Sequence, residues 1–188
     1  SISKGVLFLC AETGKYFLGD LVFKYSLLNN PQTSLVNISR PYLDEIRNCT
    51  NETVHLAVPA NSDEIIYIAK AESRFPFRLT SLVGTVEKAE LSAIGLLLYD
   101  MKEKVISLES EYKTYKGIEY CSKYEPDLDA YCFAAKFQYS ANNNFAGISV
   151  VVPKVRLLTN TEMFYVEPLV DKITELQNEL LSLPFSSL

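Results

Sequence analysis

The stretch that decides the fold runs from Gly117 to Val152 and reads GIEYCSKYEPDLDAYCFAAKFQYSANNNFAGISVVV. It breaks into strand-like runs at Ile118–Ser122, Tyr131–Tyr139 and Phe145–Pro153, each rich in β-branched and aromatic residues. An acidic loop holding Glu125, Asp127 and Asp129 separates the first two runs. The last two are joined by Ala141-Asn142-Asn143-Asn144, residues that tolerate positive φ and so suit a hairpin turn. Short connections of this kind make neighbouring strands antiparallel. A polar strand, an acidic loop and Cys132 near the start of the next strand fit the wall of a small-molecule pocket better than an active site.

Working outward, hydrophobic periodicity supplies the other elements. Val6–Cys10 and Lys15–Leu18 read as a hairpin about the turn Ala11-Glu12-Thr13-Gly14. Asp20–Asn29 reads as a short helix. A second helix opens at Pro31, with Leu35, Ile38, Tyr42 and Ile46 on one face and a kink or break expected near Arg40, before Pro41. The period then drops to two over Thr53–Val58 and Glu64–Ala71, separated by the turn-rich Pro59–Asp63, and Phe77–Val83 predicts a third strand. Leu91–Asp100 is apolar and helical with Ser92 as its cap. Lys102–Lys116 reads as a polar helix with Val105, Leu108, Tyr112 and Tyr115 inward. The last helix spans Thr161 to Leu181, with Val166, Leu169, Val170, Ile173, Leu176 and Leu180 as its buried stripe and Thr159 and Glu162 as a capping box. Strands grouped in hairpins imply an α+β fold with a six-stranded, mostly antiparallel sheet flanked by helices. The one boundary candidate, Asn29-Asn30-Pro31, divides a hairpin-and-helix appendage at 1–30 from a main domain at 31–188.

Composition narrows the class. A chain of 188 residues fits one domain with a short appendage and buries roughly 70% of its unfolded surface, so it needs no disulfide or metal to fold. A net charge of −5 argues against nucleic-acid binding by this chain alone, because phosphate neutralisation dominates such binding. The cysteines at positions 10, 49, 121 and 132 form no CxxC pair and fit a reducing cytoplasm. No apolar run spans a bilayer and no signal peptide is visible, so the sequons at Asn37, Asn48 and Asn51 read as chance matches.

Candidate chemistry is sparse. His55 is the one histidine, so any Cys–His or Ser–His mechanism must use it. It reads either as a strand histidine bonded at the sheet edge or as a polar group in a pocket. Cys132 reads as a small buried hydrophobe or, beside His55, as the nucleophile of a hydrolase. One histidine and four scattered cysteines give no zinc spacing. The acidic trio lacks the central glycine and closing glutamate of a calcium loop, so no metal or cofactor is expected. Ser92-Ala93-Ile94-Gly95 opens a helix whose backbone N–H groups suit an anion, unless Ser92 is only a cap and Gly95 only a packing contact.

Several of these segments together resemble IclR-type transcriptional regulators. Lys4–Gly19, KGVLFLCAETGKYFLG, resembles the wing hairpin and linker entry of that family's winged helix-turn-helix. Arg40–Val58, RPYLDEIRNCTNETVHLAV, is similar to a helix followed by the family's G-E-T-V-x-L strand. Ile65–Ala71 and Val83-Gly84 match its next strand and turn, and Ser92–Leu98 falls where the family has T-A-x-G-K-A-x-L. Gly117–Val152 follows its cysteine- and serine-bearing hairpin without gaps from Cys132 to Ser149. Leu96, Asp129, Lys136, Asn142 and Val152 depart from the pattern, standing for Lys, Gly, Pro, Gly and Gly.

The resemblance implies a GAF-like effector-binding domain, cytoplasmic, non-enzymatic and assembled into homodimers or homotetramers. DNA contact would come through an upstream helix-turn-helix, since the residues before Lys4 are too few to hold one. The effector would be a small organic molecule, a carboxylate by family analogy. Its wall positions would be Pro76 and Leu79 on the third strand, Ala93 and Ile94 at the helix start, and Ser122, Cys132 and Ser149 on the hairpin strands. Backbone N–H groups near Ala93 and Ile94 would take the carboxylate, the two serines its other polar atoms, and Glu125 would shape the rim. The competing expectations are a Cys132–His55 hydrolase and a degenerate oligomerisation module without ligand.

Overall fold

The computed structural model describes residues 7–9, 13–18, 31–76, 82–103 and 110–183. Helix α1, Pro31–Thr50, opens on a proline, whose fixed φ and missing N–H suit a first helical position. It runs unbroken through Pro41, which sits on the exposed face where solvent can reach the carbonyl left without a donor. Its fully buried positions are Leu35, Ser39, Leu43 and Ile46, with Ile38 and Tyr42 half-buried beside them.

The closing helix, labelled α3, spans Glu162–Ser182, and every residue of its expected stripe is buried, joined by Tyr165. The expected capping box does not form. Thr161 is the N-cap and makes no side-chain cap bond, while Thr159 Oγ1 donates to the Arg156 carbonyl at 3.0 Å.

Between these helices and a short helix α2, Ala93–Leu98, lies one antiparallel sheet. Its strands are β3 (Thr53–Asn61), β4 (Glu64–Ala71), β5 (Val86–Lys88), β6 (Ser110–Tyr115), β7 (Ile118–Glu125), β8 (Ala130–Gln138) and β9 (Phe145–Pro153), in the order β5-β4-β3-β9-β8-β7-β6. The N-terminal hairpin, β1 (Leu7–Leu9) with β2 (Tyr16–Leu18), forms its own two-stranded sheet. The α+β class thus stands, with seven strands in the main sheet where six were expected. The expected strand Phe77–Val83 lies mostly outside the described residues, and the expected helix Asp20–Asn29 lies wholly outside them.

Strand β6 corrects the later part of the helix expected over Lys102–Lys116, of which residues 104–109 lie outside the described residues. Tyr112 and Tyr115 are spaced to share a helical face, but on a strand they face opposite ways. Tyr112 donates to the Leu96 carbonyl of α2 at 2.7 Å, whereas Tyr115 reaches Glu167 of α3 at 3.1 Å. Lys116 (φ 50°) and Gly117 (φ 80°) both take positive φ, the backbone that a two-residue hairpin loop between Tyr115 and Ile118 demands.

Register fixes what each face carries, because directly opposed residues of antiparallel strands share a face. The series Val54, Val150, Phe133 and Ser122 lies on the face that α1 and α3 cover, and there the main core forms. The series His55, Ser149, Ala134 and Cys121 lies on the face that α2 covers.

Candidate functional site

Two glycines let helix α2 pack closely, one against the sheet and one against the turn at Ala89. A Cβ on Gly147 of β9 would stand 2.6 Å from Ile94 Cγ2. A Cβ on Gly95 would stand 2.6 Å from the Ala89 carbonyl carbon, and closer still to its Cα and oxygen. Side chains then fix the helix at both ends. Ser92 Oγ accepts the Gly95 N–H at 2.9 Å, so the expected cap is present. At the other end Lys136 Nζ donates to the Leu97 carbonyl at 3.1 Å beside the Tyr112 bond to Leu96. Lys136, a departure from the family pattern, therefore holds the helix C-terminus.

Beside α2 the sheet leaves a cavity of about 470 Å³. His55, Cys132, Ser149 and Val151 form its floor; Ser92, Ala93 and Ile94 one wall; Val86 and Glu87 of β5 another; Glu125 and Leu128 its rim. Burial, seconded by the charge of Lys70, lowers the His55 pKa to about 4, so the imidazole is neutral near pH 7. Its ring lies 5.3 Å from that of Tyr67, whose hydroxyl donates to Glu87 Oε2 at 2.7 Å. Burial and the Glu87 carboxylate push the Tyr67 phenol well above its usual range. Lys123 Nζ lies 2.7 Å from Glu125 Oε1, yet burial still raises the Glu125 carboxyl. Burial raises the Cys132 thiol strongly, and the Glu125 charge adds to it.

The structure brings Ala93, Ile94, Cys132 and Ser149 together around this cavity. Ser122 is on the other face. It pairs with Phe133, whereas Cys132 pairs with Lys123, so Ser122 opens into a separate hollow beside Tyr124 and Tyr131. Pro76 is exposed and outside the cavity wall, and Leu79 lies outside the described residues. His55 is not at an edge: β3 lies between β4 and β9, which puts the histidine in the cavity floor. Tyr67, Glu87, Leu91 and Val151 also line the cavity and were not read from the sequence. The register of β3 against β4 and β9 carried the signal for Tyr67 and Val151, since both share the face of His55.

A Cys–His nucleophile needs a lowered thiol pKa beside an imidazole able to hold a proton. Here the thiol is raised and the imidazole lowered, the reverse of that pair. Among the described residues no group of three or more His, Cys, Asp or Glu side chains could hold a metal ion, and no helix is long and apolar enough to cross a membrane.

Residues 30–118 match the family model described as the bacterial transcriptional regulator IclR C-terminal domain. A comparison with curated protein sequences gives no match. Among solved structures, a putative IclR transcriptional regulator from Silicibacter sp. superposes with a TM-score of 0.71 at 15% identity, over 96% of this chain and 80% of that one. An IclR homologue from Microbacterium hydrocarbonoxydans, complexed with 4-hydroxybenzoate, gives 0.68 at 18% identity over 94% and 80%. The C-terminal domain of the Escherichia coli regulator KdgR gives 0.58 at 20% identity over 78% and 98%.

The fold is that of these IclR-type regulator structures. The chain is similar to IclR-type regulators in sequence too, over the residues 30–118 that match the model of their C-terminal domain.

Proposed function

We propose that this domain senses a small organic effector in the cavity beside α2 and relays its occupancy to a DNA-binding region outside this chain. The observation that carries the reading is the cavity itself. At about 470 Å³ it has the size of a small-molecule site, with a few polar groups set among apolar ones. The homologue bound to 4-hydroxybenzoate supports the same reading by analogy. On this reading residues 1–30 hold the wing hairpin and linker, and 31–188 the sensing domain, which works as a homodimer or homotetramer. A ligand that binds one arrangement of α2 better than another shifts the population by that difference, and the shift alters operator affinity.

The test is a thermal-shift screen of small aromatic and aliphatic acids, amides and amines, run on the purified chain and on Ser149→Phe, which fills the cavity floor. A ligand at about 100 times its Kd adds about 2.7 kcal/mol. For a chain of this size that is a rise of roughly 5–10 °C. Stabilisation of the parent chain that Ser149→Phe abolishes supports the proposal. A panel that shifts neither protein, or both equally, contradicts it.

A further inference from the structure

We infer that the effector of this cavity is an organic cation, an ammonium group on a compact apolar body, and not the organic acid that family resemblance suggests. The inference rests on the sensing role proposed above and concerns the chemistry of that same site.

Two carboxylates, Glu87 from β5 and Glu125 from β7, lie in the cavity wall. Glu87 uses Oε2 to accept the Tyr67 hydroxyl, an uncharged donor, so its negative charge has no counter-ion in that bond. The nearby described cations are each paired with a carboxylate other than Glu87. Lys123 pairs with Glu125 at 2.7 Å, Lys70 with Glu72 at 2.7 Å, and Lys88 with Asp63 at 2.9 Å and Glu64 at 3.2 Å. No lysine or arginine lines the cavity among the described residues, and the one histidine that does is neutral near pH 7. Burial is the main cause of the upward shift of the Cys132 thiol in the floor; Glu125 and Glu87 add to it and Lys123 opposes it.

The features that would have welcomed an acid are weak. Helix α2 has six residues, and its Ser92 hydroxyl already takes the Gly95 N–H. A ligand carboxylate here would leave water to stand near the Glu87 charge in a low-dielectric space, and the ammonium beside the rim, Lys123, is already held by Glu125. An ammonium would instead find the Glu87 carboxylate, hydroxyl oxygens from Ser92 and Ser149, and the Tyr67 ring. Val86, Leu91, Ile94 and Val151 offer apolar cover for the rest of such a molecule.

A matched set of probes decides the matter: 4-hydroxybenzylamine, 4-hydroxybenzamide and 4-hydroxybenzoate, which share a ring and differ in charge. Each is titrated calorimetrically into the parent chain, Glu87→Gln and Glu125→Gln, with circular dichroism confirming that both variants fold. The expected result is that the amine binds the parent best. Glu87→Gln should weaken the amine about tenfold or more while leaving the amide within about threefold, as expected for loss of one charge-assisted contact. Should Glu87→Gln fail to fold, the ranking of probes on the parent still decides, with the amine expected to bind tighter than the acid, and Glu125→Gln, which frees Lys123, should narrow that lead. Tighter binding of the acid overturns the inference and leaves the sensing role intact. Binding of none of the three overturns the inference, while the sensing role answers to the wider thermal-shift panel.

Discussion

Gly95→Ala sets two opposed effects against each other. In an exposed helix interior, alanine in place of glycine adds about 1 kcal/mol of stability. Gly95 is a helical residue, so propensity alone forecasts a gain. The structure forecasts a loss. The new Cβ would lie 2.6 Å from the Ala89 carbonyl carbon and closer to its Cα and oxygen, so it strikes backbone and not the end of a flexible side chain. Ala89 cannot yield easily: it is fully buried, and its N–H donates to the Asp63 carbonyl at 2.8 Å. Overpacking of a well-packed site costs typically 1–3 kcal/mol, and a clash with backbone belongs at the upper end. Net of the propensity gain, the variant should lose about 2 kcal/mol, or roughly 4–8 °C of Tm for a domain of this size. Urea unfolding followed by circular dichroism gives both the midpoint and the m-value. A lowered midpoint with m unchanged is expected. Gly147→Ala is the internal comparison, because the one tight contact of its Cβ is a side-chain atom, the Ile94 Cγ2 methyl at 2.6 Å, so its cost should be smaller. A neutral or stabilising Gly95→Ala would refute the close seat of α2 on the turn at Ala89.

Three further outcomes follow from the same geometry. His55 has a folded pKa near 4 against 6.5 for the free side chain, so the unfolded state binds the extra proton first as pH falls and stability is lost between those values. From about pH 7.5 to about pH 4.5 the parent chain should lose about 2.5 kcal/mol more than His55→Gln, and equal losses in urea titrations would contradict a buried neutral imidazole. Glu52 and Arg156 form an ion pair with side-chain exposures of 2% and 17%, so Arg156→Met should cost about 3 kcal/mol near neutral pH by stranding a buried carboxylate. Burial already raises the Glu52 pKa, and losing its cation raises it further, so the penalty should shrink as the carboxyl is protonated at lower pH; a penalty independent of pH would refute this. In thiol labelling mapped by peptide mass spectrometry, exposed Cys49 should react with iodoacetamide well before Cys121 and Cys132, whose thiols burial holds up, to about 12 for Cys121. Fast labelling of Cys132 in the folded chain would reopen the nucleophile reading.

How far the sequence reached depended on how much each period had to decide. The hairpin Ala130–Pro153 was legible because long β-rich runs flank a turn in which Asn143 does take a positive φ. The buried stripe of α3 was legible because 21 residues repeat the helical period several times over. Strand β6 was not: over six residues, tyrosines three apart fit a helix as readily as they fit the two faces of a strand. Ser122 illustrates a limit of another kind. A segment-by-segment resemblance puts it near Cys132, but a one-residue difference in register sends the side chains through opposite faces of the sheet. His55 went unassigned because its value lies in its partners across the sheet, Ser149 and Lys70, which no local pattern announces. Asp129 shows a departure being absorbed: it takes φ 44° where the family pattern has glycine, and its carboxylate accepts the Tyr124 hydroxyl at 2.7 Å.

The central claim is that an effector enters the cavity between α2 and the sheet. It is tested most directly by methyl NMR of the isotope-labelled chain, titrated with whichever probe of the thermal-shift panel stabilises it most. The account predicts that the methyl signals of Val86, Leu91, Ile94, Leu128 and Val151, all in the cavity wall, move together and saturably. Those of Leu157 and Leu158, in the hollow on the opposite face, should stay in place. Movement of the second set with the first unchanged, or no movement in either, would contradict it.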